Sequence, residues 1–158
     1  MTDYAKSVFS NRELLEQKLA IYLDDANDAK KLAPTFEKFF KAGGGVRLKF
    51  KPSWTWWGLF TFGFLFRYKL YFDFSVVFIA WIISLFVNDA LNSAISTAIL
   101  FTTMYTSKFN MAKRFEKALD SGDDAALKGG KNPMWLSVVV FFAVNIVLNT
   151  IFGLMLKR

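Results

Sequence analysis

Among its 158 residues the chain has no cysteine and no histidine. Disulfides and thiolate metal centres are therefore excluded, as are Cys–His or Ser–His nucleophilic catalysis and histidine pH switching. Acid is also scarce: 13 Asp and Glu stand against 20 Lys and Arg, a net charge of +7, and residues 54–71 hold no carboxylate at all. Apart from Asp73, the acids lie in polar segments and turns, and the serines and threonines lack a base. The cluster Asp24, Asp25, Asn27 and Asp28 lacks the glycine and terminal glutamate of a calcium loop and reads as a solvated helix face. Gly43-Gly44-Gly45 lacks the lysine–serine pair of a phosphate loop. These absences predict a non-enzyme without cofactor or metal. Residues 1–11 have no apolar core, so a signal peptide is not expected.

What is present is hydrophobic. Apolar residues make up 54% of the chain, mean hydropathy is positive, and 19 residues are phenylalanine. The organising stretch is residues 54–71, which is rich in Trp and Phe and closes on Arg67 and Lys69 among tyrosines. That composition suits the level where hydrocarbon meets lipid headgroups. Only fourteen residues, 53–66, precede Arg67. This is short of the roughly twenty a spanning helix requires, so an interfacial or re-entrant segment is predicted.

Upstream, Ser10-Asn11-Arg12-Glu13 resembles a capping box, and Leu15, Leu19, Tyr22 and Ala26 recur at helical spacing. Pro34 suits the first turn of a second helix carrying Phe36, Phe39 and Phe40, ended by the three glycines. Residues 46–51 alternate Val46, Leu48 and Phe50 with Arg47, Lys49 and Lys51, as an extended segment with one apolar and one basic face would. Downstream, residues 72–87 and 90–105 form two apolar arms about the Asn88-Asp89 turn, predicted as a helical hairpin. Residues 107–131 read as a polar, basic loop. Residues 134–156 run for 23 positions without a charge, the strongest spanning signal in the chain.

Together these segments predict an all-α integral membrane protein. It would have N-terminal amphipathic cytosolic helices, an interfacial or re-entrant aromatic segment, a transmembrane helical hairpin and one further transmembrane helix. The predicted divisions are 1–51, 52–106, 107–132 and 133–158. If the aromatic segment does not cross, eighteen Lys and Arg fall on one side, against Lys157 and Arg158 on the other. The positive-inside rule then predicts the bacterial inner membrane with the N-terminus cytoplasmic. Arg47, Lys49, Lys51, Trp54, Trp57, Arg67 and Lys69 are the candidate lipid-headgroup contacts, with anionic lipid as the partner. Asn92, Ser96, Asn145 and Asn149 are polar positions on apolar helices, and are predicted to pack helices together or line a pore. A protein partner or a homo-oligomer is expected, and nucleic acid is disfavoured, because basic residues beside long apolar runs suit lipid better.

The run Trp57-Gly58-Leu59-Phe60-Thr61-Phe62-Gly63, an aromatic cluster and then Arg67-Tyr68-Lys69-Leu70-Tyr71 resembles a bacterial membrane family catalogued as domain of unknown function 2628. Trp57, Phe60, Phe62, Gly63, Lys69 and Tyr71 carry the resemblance, which extends over roughly residues 36–117. It implies membrane location and no particular activity. On this basis the leading expectation is a small non-enzymatic inner-membrane scaffold or accessory subunit. A homo-oligomeric pore or channel subunit, or a membrane immunity or defence component, are the alternatives.

Overall fold

The computed structural model describes residues 1–122 and 127–155. They form two compact units: residues 1–55 with 105–131, and residues 56–104 with 132 onward. The helices are α1 (Asp3–Ser10), α2 (Arg12–Leu23), α3 (Ala26–Ala42), α4 (Thr61–Arg67), α5 (Tyr71–Ser84), α6 (Asp89–Asp120) and α7 (Met134–Met155), with a 3₁₀ turn at Trp56–Phe60. The predicted all-helical class is found, but the predicted membrane-spanning architecture is not. α5 has 14 residues, too few to cross a bilayer. The other arm of the expected hairpin belongs to the 32-residue α6, which continues through Lys108, Lys113 and Lys117 where a loop was predicted. The aromatic stretch is packed: Thr61, Phe62, Gly63, Phe64 and Leu65 of α4 are all buried. Among the described residues one helix is long and apolar enough to cross a membrane, within Met134–Ile151.

In the first unit, the amphipathic spacing of α2 and α3 is realised as packing. Leu15, Leu19, Tyr22, Phe36, Phe39 and Phe40 turn inward. Phe115 of α6 stands at the centre, 5.8 Å from the ring of Phe9, 5.2 Å from Tyr22 and 6.2 Å from Phe36. Asn11, and not Ser10, caps α2, its Oδ1 accepting from the amides of Glu13 and Leu14; Ser10 donates to the Lys6 carbonyl of α1. An amide two atoms from Cβ reaches the N2 and N3 amides, which a serine already bonded backward cannot. α2 ends at Asp24 in the left-handed region (φ 51°), and Asp25 caps α3, so Ala26 falls on the second helix and not, as predicted, on the first. Pro34 lies well inside α3. Gly44 and Gly45, both at φ 71°, turn the chain away from α3.

In the second unit α4 lies along α5 and α7. Phe62 meets Phe74, Phe78 and Trp81 with ring centroids 5.5–6.1 Å apart. Two glycines permit the closest approaches. A Cβ on Gly58 would stand 2.9 Å from Met104 Cα, and one on Gly63 2.9 Å from the Ser137 carbonyl oxygen. Lys69 closes α4 in the left-handed region (φ 53°), with the Leu70 amide donating to the Leu65 carbonyl.

Candidate functional site

Residues 46–51 leave α3 as extended chain held by the Lys49 amide donating to the Phe39 carbonyl. Only Leu48 turns inward. Arg47, Lys49 and Lys51 are exposed, and so are Val46 and Phe50, which the alternation had placed on an apolar, covered face. None of the three cations forms an ion pair among the described residues. Trp54 follows half-buried, its ring 5.1 Å from Tyr105, and its carbonyl accepts from Lys108 Nζ at 2.7 Å. Burial lowers the affinity of the Lys108 amine for its proton.

The second unit also exposes many large apolar side chains. Phe72, Phe86, Trp135 and Ile146 are 81%, 70%, 67% and 65% exposed, with Val76, Ile79, Ile83, Val138, Val139 and Phe142 also outward. Thr61, Ser84, Thr103 and Ser137 are buried. The hydroxyls are held by main-chain oxygens of nearby turns: Thr61 donates to Gly58, Ser84 to Trp81 and Ser137 to Pro133. The second unit thus exposes rows of large apolar side chains along α5 and α7 while burying Phe62, Phe64, Leu65 and these hydroxyls within.

Within this unit lies an open cleft of about 310 Å³. Leu59, Phe62, Trp81, Leu100 and Phe141 form its apolar walls, and Thr61, Ser96, Thr97 and Asn145 are its polar positions. Among the described residues no ionisable side chain lines it.

The other predicted positions are dispersed. The Trp57 side chain lies outside the described residues. Arg67 Nη1 donates to the Asn132 carbonyl at 3.4 Å, and its guanidinium sits 5.9 Å from the Tyr68 ring. Arg67 and Lys69 are half-buried in the second unit, whereas Arg47, Lys49 and Lys51 belong to the first. Ser96 and Asn145 meet at the cleft; Asn92 only accepts from Ser96 at 3.4 Å. Asn145 and Asn149 donate to Phe141 and Asn145 carbonyls of their own helix, so neither amide donates to another helix.

Sequence reading missed an ionic cluster in the first unit. Lys131 Nζ bridges Asp25 Oδ2 at 2.5 Å and Asp28 Oδ2 at 3.1 Å. The lysine hydrogen bond, followed by the amide of Asp28, holds the Asp25 carboxyl down at about 2. Asp25 Oδ1 meanwhile caps α3 through the Asn27 and Asp28 amides. Beside this bridge the Gly130 amide donates to the Tyr22 carbonyl at 2.6 Å, and a Cβ there would meet the Tyr22 ring at 2.5 Å. Among the described residues no group of acids could hold a metal ion.

No family model, curated protein or solved structure proves significantly similar to this chain. The expectations of an inner-membrane scaffold, a pore subunit and a membrane defence component are corrected by the fold, as is the inner-membrane location with its cytoplasmic N-terminus. Each needed the hairpin to cross, and the charge count that set the topology has no meaning once those crossings are gone. The pore reading also needed Asn92, Ser96, Asn145 and Asn149 on one wetted path, and Asn149 is exposed and bonded within α7.

Proposed function

We propose that this chain is a non-catalytic lipid-binding protein, with acyl chains as the partner of the second unit and anionic headgroups as the partner of the exposed basic segment of the first. The observation that carries the reading is the rows of exposed apolar side chains along α5 and α7. Apolar surface left in water forgoes about 25 cal/mol for every Å² that a partner could cover, and contiguous apolar exposure on this scale marks a binding surface. Hydrocarbon chains suit α5 and α7 because α7 carries no charge and α5 only Asp73, in its first turn. In the first unit, Arg47, Lys49 and Lys51 interleave with exposed Val46 and Phe50, a pairing of cation and apolar side chain that complements phosphate above acyl chain. We also propose kinship with the domain of unknown function 2628 family, supported by the aromatic motif around Gly63.

Flotation of the full chain with vesicles tests the reading. Co-flotation with phosphatidylcholine vesicles, strengthened when phosphatidylserine is included, is the expected result. A closed oligomer that stays unbound to both vesicle types would overturn it, and would make a second copy of the chain the occupant of the apolar surface.

A further inference from the structure

The cleft of the second unit differs from the surface around it. α5 and α7 turn side chains of hydrocarbon outward, yet the cleft gathers four hydrogen-bonding side chains from three helices: Thr61 of α4, Ser96 and Thr97 of α6, and Asn145 of α7. Their bonding is incomplete. Asn145 Nδ2 is used by the Phe141 carbonyl at 2.7 Å, while its Oδ1 accepts from no described residue. The Thr97 hydroxyl makes no hydrogen bond among the described residues, the Ser96 hydroxyl makes only a long one to Asn92 Oδ1, and that of Thr61 donates to the Gly58 carbonyl with its lone pairs left over. A half-buried amide oxygen without a donor is costly beside apolar walls, and a ligand hydroxyl would satisfy it.

We propose that the cleft is a selective site for an uncharged single-chain amphiphile with a hydroxyl head, of the long-chain alcohol or monoacylglycerol class; this rests on the lipid reading above. Three features define the class. The volume, about 310 Å³, is at the lower end of small-molecule sites and suits one chain segment, not two. Leu59, Phe62, Trp81, Leu100 and Phe141 supply hydrocarbon and aromatic faces for that chain. Among the described residues no cation lines the cleft, which leaves a carboxylate or phosphate head without a counter-charge there, so an anion would be desolvated for no return, whereas a hydroxyl donates to Asn145 Oδ1 and accepts from a threonine or serine hydroxyl. The site therefore prefers a neutral head, the opposite of the basic segment 46–51.

The test uses the full chain in phosphatidylcholine vesicles with photoactivatable hexadecanol and hexadecanoate, each carrying a diazirine in the chain, at a pH that keeps the acid ionised. Adducts are mapped by mass spectrometry. Hexadecanol adducts are expected to concentrate on residues 59–62, 96–100 and 141–145 and to be competed away by unlabelled hexadecanol, with hexadecanoate about tenfold weaker there, the worth of one hydrogen bond. Asn145→Leu should erase that preference for the alcohol. Leu100→Trp, which fills the cleft, should remove the adducts while circular dichroism and vesicle flotation stay unchanged. Equal labelling by the two probes, or adducts spread over the outward faces of α5 and α7, would overturn the selective site and leave general lipid binding standing. Failure of the chain to associate with vesicles at all would overturn both.

Discussion

Gly63 of α4 lies against Ser137 of α7 so closely that a Cβ on the glycine would stand 2.9 Å from the Ser137 carbonyl oxygen and 3.2 Å from Phe141 Cβ. The contact is with main chain, so it cannot be relieved by turning a rotamer. Gly63→Ala is expected to force α4 and α7 apart and to cost roughly 1–3 kcal/mol, read as a lowered unfolding midpoint in denaturant. Gly153→Ala on the same α7 meets nothing within 4 Å and should be neutral or slightly stabilising. Equal effects from the two substitutions would refute the close crossing.

The Lys131 bridge predicts a specific pH dependence. Asp25 is depressed from 3.8 to about 2 in the folded state, so its contribution is present above the unfolded value and is lost as pH falls through 3.8 towards 2. Lys131→Met should destabilise the first unit by about 1 kcal/mol near neutrality, the scale of a partly exposed ion pair. The difference from wild type should shrink across that acid window. A difference that persisted unchanged at the acid end would mean that Lys131 acts through packing and not through charge.

Phe115 tests the core of the first unit. It is fully buried and its ring meets those of Phe9, Tyr22 and Phe36. Phe115→Ala should cost about 3–5 kcal/mol, enough to unfold a marginal unit, and circular dichroism would show the loss of helix. Phe72, 81% exposed, should behave in the reverse manner: Phe72→Ser leaves unfolding nearly unchanged and weakens vesicle flotation.

Replacing Arg47, Lys49 and Lys51 together by glutamine removes three exposed cations. At about 1 kcal/mol for each charge near an anionic surface, partition onto phosphatidylserine vesicles should fall about a hundredfold, with little change on phosphatidylcholine. An unaltered anionic preference would assign it to other basic residues.

Asn149 bonds the Asn145 carbonyl of its own helix and is exposed. Asn149→Leu is therefore expected to change stability by no more than about 0.5 kcal/mol, where an interhelical bond would have made the loss larger. Thermal unfolding of the single variant distinguishes the two.

Local chemistry was legible without coordinates. The periodicity of Leu15, Leu19 and Tyr22 placed the inward face of α2, the three glycines ended α3, and the charge-free run after Pro133 marked α7, because each depends on neighbours within a few residues. Hydropathy misled over residues 72–105. The apolar run there measured how hydrophobic the side chains are but not where helices stop, and α6 carries the second arm directly into the polar segment. Asn11 displaced Ser10 as a cap because α1, whose Lys6 carbonyl takes the serine hydroxyl, was not recognised.

The candidate site divides along the same line. The exposed basic segment was readable from its alternation, although Val46 and Phe50 proved to face outward with the cations. Phe141 and Asn145, one turn apart, and Ser96 and Leu100, likewise spaced, could have been marked as two faces. That they meet around one cleft, that Lys131 reaches Asp25 and Asp28 more than a hundred positions away, and that Gly63 admits α7 follow only from packing. Sequence determined which stretches are apolar, basic or amphipathic, since those properties reside in consecutive side chains. Tertiary structure alone decided which faces are covered, which donors find acceptors and where a cavity remains, since these depend on distances between segments that the chain brings together only when it folds.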